Sequence, residues 1–256
     1  MNITAYSREK IKEGLERAQK RTDQDPETVR LLFAPRKIDD TNFSEVCDIY
    51  SQILNEDFDS VIIVESHPGN AEKKLPMPSF KFVETSLGIV YANDPLRNDF
   101  ADEDDDFFIS NDAFDEDTSL YDQLMMLQCV LDNFSVLCIQ MTDESPAIVK
   151  ELAYTMEEIL ASKNALVVFC CEMEENKSEI LEKVAEYQKK QDLSILMNYL
   201  NQHDSLIEGT GTFAAGLIVA QKWGLKIRFS ALETSLDQTK NNLIGFAVMQ
   251  QQPMFG

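Results

Sequence analysis

Histidine is nearly missing from this 256-residue chain: there are two, His67 and His203. That scarcity excludes a three-histidine metal centre, and a two-histidine, one-carboxylate site would need both. It also leaves little room for a Ser/His/Asp triad, and no Gly-x-Ser-x-Gly elbow is present. Basic residues are few as well, 23 Lys and Arg against 45 Asp and Glu, for a formal net charge of −22. Such a charge repels both a nucleic-acid phosphate backbone and an anionic membrane, so neither is expected as a partner. The five cysteines (Cys47, Cys129, Cys138, Cys170, Cys171) are odd in number and form no CxxC pair or Cys/His cluster. A zinc knuckle and a dithiol redox motif are therefore not expected; buried, reduced thiols in a cytoplasmic protein are. No apolar run approaches the roughly 18 residues of a membrane span, and the first residues lack the basic, apolar, small-residue layout of a secretory signal. Glycine (9) and proline (8) are too sparse for a collagenous or disordered chain.

What is present is a globular composition, 44% hydrophobic and 27% charged, in a chain long enough to bury most of its surface without metal or disulfide. Ile11, Leu15 and Ala18 recur at helical spacing behind Ser7, a candidate N-cap. Val29–Ala34 is a short apolar run halted by Pro35 and predicts a strand. Helix is predicted over 43–54, 120–131, 146–160, 178–190, 193–201 and 212–223, and strand over 60–64, 136–139, 165–170, 227–232 and 243–249. The central strands are apolar at every position, so both their faces need cover. Strand–helix alternation without a compositional break predicts one three-layer α/β/α domain over residues 1–256, around a mostly parallel or mixed sheet.

Residues 99–117 stand apart: ten of nineteen are acidic, none is basic, and Phe100, Phe107, Phe108 and Phe114 are interleaved. The stretch reads as an acidic-aromatic surface loop whose rings dock it on the body. The alternative is a handle, centred on Asp102–Asp106, for a protein partner with a basic surface. Asp104-Asp105-Asp106 lacks the ligand spacing and turn glycine of an EF-hand. Gly209-Thr210-Gly211-Thr212 ahead of a helix lacks the third glycine of a dinucleotide loop and the Gly-Lys-Ser/Thr of a P-loop.

Short motifs at the predicted strand ends occur in an order that resembles the Memo family, the B component of the AmmeMemoRadiSam group, related in fold to LigB-type extradiol dioxygenases. Ala34-Pro35-Arg36-Lys37 is similar to the family's Ala-Pro-His-Ala-Gly, and Val64-Glu65-Ser66-His67-Pro68 to its Gly-Pro-Ser-His-His. Glu84-Thr85-Ser86-Leu87-Gly88 resembles Glu-Thr-Pro-Leu-Gly, and Asp117-Thr118-Ser119-Leu120 with Gln123-Leu124 resembles Glu-His-Ser-Leu-Glu-x-Gln-Leu. Phe169-Cys170-Cys171-Glu172 stands at the family's Ser-Ser-Asp, Leu206-Ile207-Glu208-Gly209 at its Ala-Cys-Gly, and 242–247 at its closing Val-Val-Gly-Tyr-Ala. The resemblance implies a Memo/LigB-like α/β fold and a site at these strand ends, built in the family from two His and a Cys that suit a transition metal.

The departures fall on that site. Arg36 stands at the first His, Glu208 at the Cys and Thr118 at the His of the Glu-His-Ser tag; of the histidine positions His67 alone is kept. Arginine has no lone pair to give a metal. The candidate pocket is thus Arg36, His67, Thr118, Glu172 and Glu208, with His67 and Glu208 the candidate ligands if a divalent metal binds and no cofactor expected otherwise. His203 reads as a loop or helix-end histidine. If the family geometry holds, Arg36 and Glu208 face each other and form a salt bridge in the seat of the metal; the alternative turns Arg36 outward. Two functions follow. One is a non-catalytic binding or scaffold protein with a degenerate metal site, working beside the radical-SAM component that the resemblance implies. The other is an altered metal-dependent or acid/base enzyme, an oxidoreductase or hydrolase, using His67, Glu208 and Arg36.

Overall fold

The computed structural model of the chain describes residues 1–20, 28–54, 56–67, 74–111, 113–114, 118–173, 178–190, 192–203, 206–229 and 244–249. In chain order the elements are α1 (Arg8–Gln19), β1 (Val29–Ala34), α2 (Phe43–Tyr50), β2 (Ser60–Ser66), β3 (Leu75–Met77), β4 (Phe82–Thr85), β5 (Gly88–Ala92) and α3 (Asp94–Glu103). There follow β6 (Phe107–Ile109), α4 (Leu120–Val130), β7 (Ser135–Met141), α5 (Pro146–Leu160), β8 (Ala165–Cys170), β9 (Glu172–Met173), α6 (Ser178–Lys190) and α7 (Leu193–Gln202). β10 (Ile207–Glu208), α8 (Thr210–Lys222), β11 (Leu225–Phe229) and β12 (Gly245–Met249) complete the series. The predicted strand positions 230–232 and 243 lie outside the described residues.

Eight strands form one mixed sheet in the order β11-β12-β1-β8-β2-β7-β5-β4. β1, β8, β2, β7 and β5 run parallel, while β12, β11 and β4 join antiparallel. Alternation along the strands divides the core in two. Leu31, Phe33, Ile62, Val64, Leu137, Ile139, Val167 and Phe169 pack on one face against α3, α5, α6, α7 and α8. Leu32, Ala34, Val61, Ile63, Val136, Cys138, Leu166 and Val168 pack on the other against α1, α2 and α4. With both faces covered, period-two alternation turns into the continuous apolar runs seen in the sequence. This is the α/β layering expected of the chain. None of the described helices is long and apolar enough to cross a membrane, and all five cysteines are buried thiols outside any disulfide.

The stretch 99–117 is not the surface loop it resembles by composition. It begins inside α3, whose Asn93 N-cap accepts from Leu96 N and whose Leu96 and Phe100 are buried. It continues as β6, which pairs in parallel with β3. Phe100 and Phe107 lie in the core, their ring centroids 5.2 Å apart. Helical spacing and burial of two aromatics outweigh the local charge density. Among the described residues of the stretch, the exposed acids are Asp99 and the run of Asp102 and Glu103 at the end of α3 with Asp104 and Asp105 just after it; residues 112 and 115–117 lie outside the described set.

Candidate functional site

The parallel strands deliver their carboxyl ends to one rim of the sheet, where α/β folds place ligand sites. β1 runs out at Ala34-Pro35 and hands Arg36 to this rim; β2 contributes Glu65, its next-to-last residue. Glu65 continues the row of Val61 and Ile63 on the α4 side, which points it at the α4 N-terminus. There the carboxylate, 2% exposed, accepts from Ser119 N at 3.0 Å (Oε1) and 2.8 Å (Oε2), and its Oε2 from Ser119 Oγ at 2.7 Å. Gln140, opposite Glu65 in the β2–β7 register, donates Nε2 at 3.2 Å. Arg36 closes the shell: Nε reaches Glu65 Oε1 at 3.0 Å and Nη2 at 2.9 Å. Its Nη1 donates outward to Glu208, whose side chain is half exposed.

A guanidinium thus sits between a buried and an exposed carboxylate. Burial pulls the Arg36 pKa down, but the charges and hydrogen bonds of Glu65 and Glu208 outweigh it and leave it raised. Such an arginine has no lone pair, and its charge repels a cation, so this donor set does not fit a transition metal.

Of the other candidates, Glu172 and Glu208 are direct cross-strand partners in the β9–β10 ladder, and Glu172 Oε1 accepts from Lys37 N at 2.9 Å, tying β9 to the loop that carries Arg36. Thr118 is half-buried beside Ser119. His67 follows β2, half-buried, and its backbone N–H donates to Met141 O at 2.9 Å; Pro68 and Gly69 lie outside the described residues. The structure therefore joins Arg36, Glu172 and Glu208, with Thr118 and His67 on the same rim.

These geometries can be set beside known proteins. The model of the Memo-like protein family matches residues 6–249. The chain belongs to the Memo-like family. A MEMO1 family protein of Thermotoga neapolitana is 30% identical over 166 residues, which is 60% of this chain and 57% of that relative. The aligned part thus spans little more than half the length of the relative. The crystal structure of the uncharacterized protein JW3007 from Escherichia coli K12 superposes with a TM-score of 0.53 at 11% identity, covering 87% of this chain and all of that one. At that identity the likeness concerns the fold.

Within this Memo-like chain, His203 caps α7: Nδ1 bonds Tyr199 O at 2.8 Å and the imidazole lies 4.3 Å from the Tyr199 ring. The Gly-rich step at 209–211 is a close approach. Gly209 has φ +78°, and a Cβ there would meet Cys170 O at 3.1 Å. Glu144 occupies the α8 N-terminus, accepting from Gly211 N at 3.1 Å and from Ser66 Oγ. Burial pushes the Cys170 and Cys171 thiols up, with neighbouring negative groups adding to it, so neither is an activated nucleophile. Two acids here, Glu65 and Glu144, escaped the sequence reading. Glu65 had a signal: an ionisable residue inside a doubly covered strand must have a partner, and the motif alignment places Arg36 one strand-end away.

Proposed function

We propose that this Memo-like chain is a non-catalytic binding or scaffold protein in which an ion-pair plug replaces metal chemistry. The observation that carries this reading is the Arg36 guanidinium held between Glu65 and Glu208. Breaking such a buried pair by deleting one partner costs about 3–5 kcal/mol, because a charge is left stranded. The plug is therefore costly to open, and recognition falls to the surface. The exposed acidic run 102–105, the last residues of α3 and the two after it, supplies a negative corner for a partner with a basic surface. Family likeness extends the proposal to one cytoplasmic domain working beside the radical-SAM component of the AmmeMemoRadiSam group.

A second reading has one observation in its favour: Glu208 is half exposed and contacts Arg36, so Arg36 could hold an anionic substrate while Glu208 acts as base. Elemental analysis of protein purified without a metal-binding tag separates the two from any metalloenzyme reading. Substoichiometric iron, copper and zinc, unchanged after incubation with each metal and desalting, is expected. One equivalent of any of them, lost in a His67→Ala variant, would overturn the proposal.

A further inference from the structure

The loop that presents Arg36 is held residue by residue. Gln123 Nε2 donates to Pro35 O at 2.9 Å, and its own Oε1 accepts from the Tyr50 hydroxyl at 2.6 Å. Asn42 Nδ2 donates to Lys37 O at 2.8 Å, while Glu172 accepts from Lys37 N. Ile38 N donates to Asp122 Oδ2 at 2.7 Å. The same carboxylate oxygen receives Asn2 Nδ2 at 3.3 Å. Asn2 opens a short 3-10 helix, Ile3–Ala5, that lies across the loop as a strap. Ile3 N donates to Ile38 O at 2.8 Å, and Asn2 forms a bridge with Asp39. Ile3 and Tyr6 are buried anchors, whereas Asn2, Thr4 and Ala5 are exposed.

Asp122 is therefore a peg shared by strap and loop. It is 6% exposed, and the two donors on its Oδ2 are uncharged. Of the charged groups facing it, Lys37 favours the ionised form and Asp39 opposes it, both weaker than burial. Tyr50 faces it from α2 as a neutral phenol. On α1, Lys10 reaches Asp40, and Arg8 the carbonyls of Leu87 and Gln128, so neither supplies a counter-charge. A buried carboxylate without a cation is satisfied by a proton, and burial lifts this pKa to about 6. Lifting the strap hydrates the group and returns it to the ordinary carboxylate value of about 4. The closed strap thus holds a proton that the open one sheds. Opening becomes easier as pH rises from about 4 and levels off above about 6.

We propose that residues 2–6 form a proton-latched strap: ionisation of Asp122 favours its release, and release slackens the loop that carries Arg36. The device acts on the Arg36 rim whether that rim is an inert plug or a catalytic site.

The test is amide hydrogen exchange of the full, nitrogen-15-labelled chain, read by NMR as protection factors so that the intrinsic pH dependence of exchange is removed. Protection of the Ile3, Lys37 and Ile38 amides should fall by about fiftyfold between about pH 4 and about pH 7. It should stay below that of the β2–β8 ladder, which reports global unfolding. In Asp122→Asn the three amides should keep their acid-side protection throughout. Ile3→Ala loosens the strap without touching Asp122, and should speed exchange of all three at every pH while the pH response remains. Ladder protection retained in each variant shows that it is folded. Strap protection equal to that of the ladder would mean that the strap does not open on its own, and would overturn the proposal. So would a pH response that survives in Asp122→Asn, the absence of any response in the wild type, or a response at Ile3 and Ile38 that leaves Lys37 unmoved.

Discussion

Replacing Arg36 by methionine tests the ion-pair plug directly. The substitution keeps most of the aliphatic stem and removes the cation, leaving the Glu65 carboxylate, 2% exposed, with Ser119 and Gln140 as its donors. An uncompensated buried charge of this kind costs about 3–5 kcal/mol. At roughly 2–4 °C per kcal/mol for a domain of this size, the melting temperature falls by about 6–20 °C. Glu65→Gln removes the other charge and strands the inner guanidinium nitrogens, for a cost of about 2–4 kcal/mol on the same argument. The double variant strands neither charge, so its loss should undershoot the sum of the singles by about 1.5–3 kcal/mol. Glu208→Gln, at the solvent side with 52% exposure, should cost no more than about 1 kcal/mol. Urea unfolding followed by circular dichroism supplies all four values, provided the m-value is constant across the set. Additivity of Arg36→Met and Glu65→Gln within about 0.5 kcal/mol would refute the plug. A Glu208→Gln loss as large as that of Arg36→Met would move its weight to the outer pair.

Asp122 is buried on α4, where its Oδ2 accepts from Ile38 N at 2.7 Å and Asn2 Nδ2 at 3.3 Å, and burial raises its pKa to about 6. The folded state then holds a proton the unfolded chain has lost, so this carboxyl's contribution to stability falls as pH rises from the ordinary carboxylate range through about 6; relative to wild type, Asp122→Asn should gain stability over that window and run parallel above it in urea titrations. Glu151, with an oxygen within 4.8 Å of ligand atoms of Asp104 and Asp106, is raised to about 7 by burial and by those acids; stability should decline between about pH 4.5 and 7, and Asp104→Asn should shrink that decline. Gly216 on α8 leaves no room for a methyl group, since a Cβ would lie 2.5 Å from the Phe33 ring and 2.9 Å from that of Phe169; Gly216→Ala should lower stability by about 1–3 kcal/mol by thermal melt despite its better helix propensity.

The layered fold is legible in the chain because burial on both faces leaves an unambiguous mark. Val61–Val64 and Leu166–Phe169 read as covered strands, and Ser7 and Pro146 mark helix starts that the structure keeps. Edges are less legible. The hairpin β4–β5 is exposed on one side, β9 and β10 are two residues each, and no local pattern distinguishes them from loop. The acidic run hid α3 and β6 because composition averages over the single buried positions, Phe100 and Phe107, that decide the outcome. At the site, family motifs brought Arg36 and Glu208 together, and the structure has that ion pair. Its inner half, Glu65, was masked because the family position it fills holds a proline, and alignment to a motif draws attention to the residues the motif names.

Strand β12 lies inside the sheet, clasped between β1 and β11, although it follows β1 by some two hundred residues. During synthesis, the hydrogen-bonding flank of β1 stays bare until residues 245–249 leave the ribosome. Nascent chains stalled short of that point would present a sticky ribbon that chaperones must shield. Closure of the sheet is then a late, long-range event, and maturation should be limited by that final zipping step rather than by helix formation.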